Sequence, residues 1–343
     1  MSLLETVGFA ILGAGMVADY HRQAVEANAD LGARLVAVGH YKPARFAEIS
    51  ARFGVPCVSQ EDLLADPAVD VVCICTPSGQ HPAQAIAAAQ AGKHVLVEKP
   101  MALSLADADA MIQACARAGV GLGVVLQRRA EPLFRRVYDA IRAGDLGELT
   151  LGLVTMPYHR LQAYYDQADW RGTWALDGGG VLMNQGIHLV DLLVWYMGDP
   201  VAVQACADTL HRDIEVEDTL AATLRFANGA MATITATTAA APGFPHRLEI
   251  YGTGGGIQIE GETVRQWTWA DPARATLARP EIGAPADAGA GSDPRGIAPT
   301  GHIAILRDFI HALREGRDPQ IDGIEGRRSL ATVLAIYEAA GLL

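Results

Sequence analysis

Lys99 and His188 are the two residues whose neighbours best equip them for proton chemistry. Lys99 stands in Glu98-Lys99-Pro100, directly after the apolar run His94–Val97. A lysine at the carboxyl end of a parallel strand lies in the crevice where such sheets bind ligands. Without that context it reads as a surface charge before a turn. His188 follows the glycine run Gly178-Gly179-Gly180 in a segment that reads as a helix. Asn184, His188 and Asp191 fall at i, i+4 and i+7, which places them on one helical face. Asp191 could then orient or charge-balance the imidazole for acid–base work. The plainer alternative is a structural histidine on a packed helix. A metal on His188 and Asp191 is discounted, since no third and fourth ligand stands at suitable spacing.

A second cluster belongs to phosphate recognition. Val7–Leu12 is an apolar run that opens into Gly13-x-Gly15-x-x-Ala18, and a helical pattern follows from Val17. Gly13 permits a tight turn, Gly15 lets the backbone approach a pyrophosphate, and Ala18 permits close helix–strand packing. The helix start offers N–H groups to the phosphates. A ribose-binding acid is expected about 20 residues on. Here the second strand ends Val38-Gly39-His40-Tyr41-Lys42, with no carboxylate. Lys42 and Arg45 could meet a 2′-phosphate, which leans the cofactor toward NADP, or could be solvated charges at a helix start. Both readings stay open.

The elements that must position these residues alternate as strand and helix as far as Leu126. Apolar runs at Arg34–Val38, Asp70–Cys75, His94–Val97 and Gly121–Leu126 are separated by helical patterns such as Phe46–Phe53, Gln80–Ala91 and Ala106–Ala118. That rhythm implies parallel βαβ units with both sheet faces covered. Residues 1–127 are expected to form a dinucleotide-binding Rossmann domain. After it come Pro132–Ala143 as a helix and a series of alternating or β-branched runs, from Gly147–Met156 to Val264–Trp267. Residues 128–343 are therefore expected to form an α+β domain with a large, mostly antiparallel sheet. Asp271–Thr300, rich in Pro, Ala and Gly, reads as a long loop, and His302–Glu315 and Gly326–Ala340 as closing helices.

Bulk properties limit the partners. The 343 residues carry a formal net charge of -12, so a phosphate-coated nucleic acid is repelled on average. The five cysteines, Cys57, Cys73, Cys75, Cys115 and Cys206, include no C-x-x-C pair. An odd count with no basic n-region at Met1–Thr6 points to free thiols in the cytoplasm. The apolar stretch around Ile187–Met197 is broken by His188 and Asp191, so no membrane span is expected.

The set Gly13-x-Gly15-x-x-Ala18, Thr76-Pro77-x-x-x-His81, Glu98-Lys99-Pro100, Gln127-Arg128-Arg129 and Gly178–Asp191 resembles the Gfo/Idh/MocA family. The likeness runs over nearly the whole chain, with the motifs in the family's order. It implies that Thr76, Pro77, His81 and Glu98 join Gly13, Gly15, Met16, Val17, His40, Lys42, Arg45 and Lys99 around NAD or NADP. It also implies that Lys99 hydrogen-bonds the reacting hydroxyl and that His188 is the general base. Asn184 departs from the aspartate of inositol dehydrogenases, which removes a charge from the site. Asn-Gln-Gly-x-His preceded by Trp170-Arg171-Gly172-Thr173 is similar to a branch that includes nucleotide-sugar dehydrogenases. Arg128, Trp170, Arg171, Asn184 and Asp191 are the expected substrate contacts. Glu98-Lys99-Pro100 in relatives often holds an unusual peptide geometry before the proline. The expected activity is NAD(P)-dependent hydride transfer to or from a sugar, cyclitol or sugar derivative. Alternatives are a glycosidase working by transient oxidation and a non-catalytic dinucleotide sensor. A homodimer or homotetramer is expected through the second-domain sheet, with the final helices packing near the first domain.

Overall fold

The computed structural model describes residues 5–276 and 299–343, so most of the reading of Asp271–Thr300 as a loop lies outside the described residues. The chain divides into two compact units, one made of residues 5–130 and 299–330, the other of residues 131–276 and 331–343.

In the first unit, β1 (Val7–Leu12) leads into α1 (Val17–Ala27), β2 (Ala33–Gly39), α2 (Phe46–Phe53), β3 (Cys57–Val58) and α3 (Gln60–Ala65). Then follow β4 (Val71–Ile74), α4 (His81–Gln90), β5 (His94–Val97), α5 (Leu105–Ala118) and β6 (Leu122–Val124). The six strands are all parallel, in the order β3-β2-β1-β4-β5-β6. That is the order of a doubly wound dinucleotide-binding sheet, with its switch point between β1 and β4. β1, β4 and the last three residues of β5 are buried throughout, as apolar runs covered on both faces must be. The strands end together at the switch point. Gly13 N donates to the Gly39 carbonyl at 2.9 Å, and Cys75 N to the Leu12 carbonyl at 2.8 Å.

The second unit opens with α6 (Pro132–Arg142), β7 (Leu149–Pro157) and α7 (Gln162–Tyr165). A π turn over Val181–Gly186 then feeds α8 (Ile187–Met197). β8 (Pro200–Asp208), β9 (Thr219–Phe226), β10 (Met231–Thr237), β11 (Arg247–Gly252), β12 (Gly255–Glu260) and β13 (Thr263–Trp269) complete a seven-stranded sheet. Its order is β13-β12-β11-β7-β10-β9-β8, and β7 with β10 is its one parallel pair among the described strands. One face is packed: β9 alternates buried Leu220, Ala222, Leu224 and Phe226 with outward residues. α8 lies against that face at Gly152, where any side chain would run into Leu193 and Met197 (2.8 and 2.5 Å from an added Cβ). The fold is thus a Rossmann unit and an α+β unit with a mostly antiparallel sheet.

The last two helices are α9 (Thr300–Glu315) and α10 (Gly323–Ala339). α9 belongs to the first unit: the Asn28 side chain donates to the Ile303 carbonyl at 3.1 Å, and Arg307 pairs with Asp30 at 2.8 Å. The unit boundary crosses α10 after Leu330. Among the described residues no helix is long and apolar enough to cross a membrane.

Candidate active site

The loop after β1 meets the requirements of a phosphate cradle. Gly13 has φ +104°, and a Cβ there would come within 2.7 Å of the Cys75 carbonyl oxygen, so only glycine makes this turn. Gly15 is exposed, and a Cβ built on it meets nothing within 4 Å. The space over Gly15 is therefore open to a ligand. Met16 caps α1 without any side-chain hydrogen bond, which leaves the first-turn N–H groups facing outward from Val17 onward. These features fit a dinucleotide pyrophosphate. Arg52, which the sequence reading did not single out, braces the loop: its guanidinium donates to the carbonyls of Ala14 (2.9 Å) and Gly15 (3.2 Å) and pairs with Asp19.

At the end of β2, His40 Nδ1 accepts from the backbone N–H of Lys42 at 3.1 Å, and Lys42 lies over the Tyr41 ring. Arg45 is engaged by Glu48 through two hydrogen bonds of 2.8 and 3.2 Å. The lean toward NADP rested on Lys42 and Arg45, and half of that charge is balanced inside the protein.

Thr76 and Pro77 follow β4, and His81 begins α4. His81 is buried, with Nε2 2.9 Å from the Thr76 carbonyl and Nδ1 2.9 Å from the Pro100 carbonyl. The ring therefore ties the loop after β4 to the loop after β5. Burial lowers its pKa, against the pull of the two carbonyls. The Thr76 hydroxyl donates to Gln84.

Lys99 sits two residues beyond β5 and is half-buried, and its peptide bond to Pro100 is cis. Its backbone N–H donates to Glu98 Oε2 at 3.2 Å. Glu98 is itself buried. Its Oε1 faces His21 Nε2 at 2.9 Å and His302 Nε2 at 3.3 Å. Burial alone would raise the Glu98 pKa, but the hydrogen bonds from the two imidazoles outweigh it and hold the carboxyl well below its usual range. Burial lowers the pKa of His21. Nδ1 of both histidines is buried with no hydrogen-bond partner among the described residues, which leaves Nε2 as the donor toward Glu98 in each ring. The three ligand atoms are close enough to surround a metal ion, yet the distances are those of hydrogen bonds. Glu98, expected among the cofactor contacts, thus has both oxygens engaged within the protein and acts on the backbone of Lys99. His21 and His302 gave no motif, because they stand 281 positions apart in the chain.

In the second unit the segment carrying His188 departs from the helix read from sequence. The π turn at Val181–Gly186 intervenes between Asn184 and His188, so α-helical spacing no longer sets their relative faces. Such turns are frequent at functional sites. Asn184 is turned to another partner: its Nδ2 donates to Asp177 Oδ1 at 2.7 Å, and Asp177 Oδ2 accepts from Gly172 N at 2.9 Å. The charge that Asn184 lacks is therefore present one residue away in space, on buried Asp177. Asp191 is buried on α8, and His188 is half-buried.

Glu217 fixes the start of this turn. Its carboxylate accepts from Gly180 N (2.7 Å), Leu182 N (2.9 Å) and the Tyr337 hydroxyl (2.8 Å), and that hydroxyl accepts from Met183 N at 3.1 Å. Gly179 and Gly180 are required for the approach. A Cβ on Gly179 would lie 2.3 Å from Tyr337 Oη, and one on Gly180 1.6 Å from the Glu217 carbonyl. Burial pushes the Glu217 carboxyl up to about 7, against the pull of its donors. Of the remaining expected contacts, Arg128 is buried in the turn Gln127–Ala130 of the first unit, and Trp170 and Arg171 lie in the loop before the glycine run.

Residues 7–126 match the model of an oxidoreductase family with an NAD-binding Rossmann fold, and residues 134–258 match the GFO/IDH/MocA C-terminal domain. This chain belongs to the GFO/IDH/MocA oxidoreductases. Among solved structures, the WlbA dehydrogenase of Bordetella pertussis in complex with NADH and UDP-GlcNAcA is similar to it. Identity is 36% with a TM-score of 0.86, covering 98% of this chain and 97% of that one. A 1,5-anhydro-D-fructose reductase of Ensifer adhaerens is 32% identical over 84% of this chain and 82% of its own length. An inositol 2-dehydrogenase of Rhizobium meliloti is 30% identical over 75% and 76%. As a GFO/IDH/MocA member, the chain is an oxidoreductase with an NAD-binding Rossmann unit. The glycosidase and sensor readings gain no support, since these relatives are named dehydrogenases and reductases.

Two outcomes are expected. Gly15→Val fills the open space over the loop without meeting protein, so cofactor affinity should fall at least tenfold while the melting temperature stays within a few degrees. Calorimetric titration with NADH beside a thermal melt checks this. For Glu217, the folded-state pKa near 7 lies above the ordinary carboxylate value, so the folded protein holds the extra proton. Its contribution to stability is complete below about pH 4.5 and lost as pH rises through about 7, by at most about 3 kcal/mol. Melting temperature measured from pH 5 to 8 should therefore fall more steeply in the native protein than in Glu217→Gln.

Proposed function

We propose that this GFO/IDH/MocA enzyme oxidises, or in reverse reduces, a ring hydroxyl of a nucleotide-linked sugar, with His188 as base and Lys99 as oxyanion donor. The observation that carries the division of labour is the anchoring of each residue. Lys99 leaves a backbone held by the Glu98 carboxylate, and His188 follows a turn held by Glu217. The substrate class is supported by the likeness to the WlbA dehydrogenase, whose structure contains UDP-GlcNAcA. The Asn184-Gln185-Gly186-Ile187-His188 sequence agrees with it.

When bound, the nicotinamide accepts or supplies a hydride. On the protein side, His188 takes the hydroxyl proton as the C–O single bond becomes C=O. The Lys99 ammonium donates a hydrogen bond to that oxygen, which carries negative charge during the transfer. Asp177 holds Asn184, and Asn184 with Trp170, Arg171, Arg128 and Asp191 positions the sugar. The residues cradling the cofactor are those around Gly13, Gly15, Met16, Val17, Thr76 and Pro77, with His40 and Lys42 toward the ribose.

We read the cofactor as NAD, since Arg45 is occupied by Glu48 and the WlbA structure contains NADH. Assembly as a homodimer or homotetramer through the open face of the seven-stranded sheet is supported by exposed Leu151 and Met231, paired across β7 and β10. A cytoplasmic location is supported by five free cysteines, and the net charge of -12 argues against a nucleic-acid partner.

His188→Ala should lower turnover by about 10²–10⁴-fold, and Lys99→Ala comparably, each with cofactor affinity retained. The check is nicotinamide absorbance across a panel of sugars, cyclitols and nucleotide sugars; near-native turnover in either variant would sink the assignment. NAD should bind more tightly than NADP in paired titrations. Glu48→Ala frees Arg45, which should narrow that gap.

A further inference from the structure

The phosphate loop of the first unit is held on two sides. Its start is fixed by the sheet, where Gly13 N donates to the Gly39 carbonyl at 2.9 Å. Its far side is held by one side chain, that of Arg52 in the last turn of α2. Arg52 Nη1 donates to the Ala14 carbonyl at 2.9 Å, and Nη2 to the Gly15 carbonyl at 3.2 Å. Nη2 also pairs with Asp19, in the first turn of α1. The guanidinium carbon lies 4.8 Å from the centroid of the buried Phe53 ring, so the group has a platform as well as three acceptors. Its planar fork spans the turn and the helix that follows it.

Peptide geometry turns this contact into an aim. The links Ala14-Gly15 and Gly15-Met16 are trans, and in a planar trans peptide the C=O and the N–H point in opposite directions. The Ala14 carbonyl shares its plane with the Gly15 N–H, and the Gly15 carbonyl shares its plane with the Met16 N–H. Holding both carbonyls on the Arg52 side therefore sets both N–H groups on the other side. Among the described residues no acceptor meets the N–H of Gly15 or Met16. A Cβ on Gly15 meets nothing within 4 Å. Successive N–H groups left unfilled in this way make an anion-binding concavity. Arg52 adds little net charge to it, since Asp19 balances the guanidinium. Without the brace both peptide planes can rotate, and a carbonyl turned toward the ligand would repel its phosphates.

We infer that Arg52 is a positioning residue for the dinucleotide: by holding the two carbonyls behind them, it aims the Gly15 and Met16 N–H groups at the pyrophosphate. The inference rests on the placement of the pyrophosphate over Gly15 given above. The competing role for an arginine here is direct contact with a phosphate of the ligand, in particular the 2′-phosphate of NADP. Its three acceptors within the protein favour the brace.

The test uses the full-length protein. NADH and NADPH are titrated by their fluorescence. ADP-ribose, which carries the pyrophosphate, and adenosine, which does not, are measured by displacement of NADH. Arg52→Gln should weaken NADH, NADPH and ADP-ribose alike, by about tenfold, and leave adenosine unchanged. Arg52→Lys keeps the charge but loses the planar fork, so it should weaken the same three ligands. In Arg52→Gln/Asp19→Asn the uncovered carboxylate is gone, yet affinity should stay low because the carbonyls are still unheld. About a third of each side chain of the pair is exposed, and exposed pairs add little to stability, so melting temperatures should stay near native. Native NADH affinity in Arg52→Gln or Arg52→Lys would overturn the assignment. A loss confined to NADPH would replace the brace with a direct contact, and recovery in the double variant would replace it with a charge effect. An equal loss of adenosine would mean general damage to the unit. Failure of the pyrophosphate placement shows separately, as Gly15→Val binding NADH as the native protein does.

Discussion

A buried carboxylate survives in a folded protein only when donors fill its oxygens. That constraint organises both halves of this molecule. In the first unit Glu98 lies just past the end of β5, before Lys99, and two imidazoles and a backbone N–H meet its oxygens. His21 comes from α1, which starts at the phosphate loop, and His302 comes from α9, near the end of the chain. One carboxylate therefore binds together the cofactor helix, the strand end that carries Lys99 and a distant helix. Removing either histidine would leave a buried charge short of a donor, a loss far larger than that of an exposed ion pair.

Glu217 plays the corresponding part in the second unit, with different chemistry. It meets backbone N–H groups at the mouth of a helical segment, where the unfilled amides of a helix start favour a negative charge. The two glycines are a steric condition of this contact, since at Gly179 and Gly180 a side chain would occupy the space of Tyr337 and Glu217. The run Gly178-Gly179-Gly180 suggests flexibility in the sequence. In the structure it serves close approach, and the segment after it is fixed at Val181, Leu182 and Met183 by Glu217 and Tyr337.

Periodicity read the first unit well because its strands are buried on both faces and its helices amphipathic. β1 and α2 fall on the residues that apolar runs and helical spacing indicate, and β9 likewise in the second unit. β3 escaped because two residues, Cys57 and Val58, are too few to show a period. The candidate site is suggested by the sequence where it depends on local motifs: Gly13, Gly15, Lys99 and His188 each stand in a short pattern with a physical meaning. It was illegible where it depends on partners far apart in the chain. Asp177, Glu217, His21 and His302 carry no local signature, and the π turn breaks the α-helical spacing that grouped Asn184 with His188.

The change from aspartate to Asn184 looks, in the sequence, like the loss of a charge near His188. The structure gives it a different meaning. Asn184 Nδ2 donates to Asp177, and an aspartate at 184 would instead place two carboxylates 2.7 Å apart. Like charges that close cannot both remain ionised. The asparagine therefore follows from the presence of Asp177, which is itself held by Gly172 N and placed by the turn that begins at Thr173. The negative charge stands instead on Asp177, in the loop that follows Arg171. A residue judged by its own type reads as a deficit; judged with its partner, it joins the turn that precedes α8 to that loop.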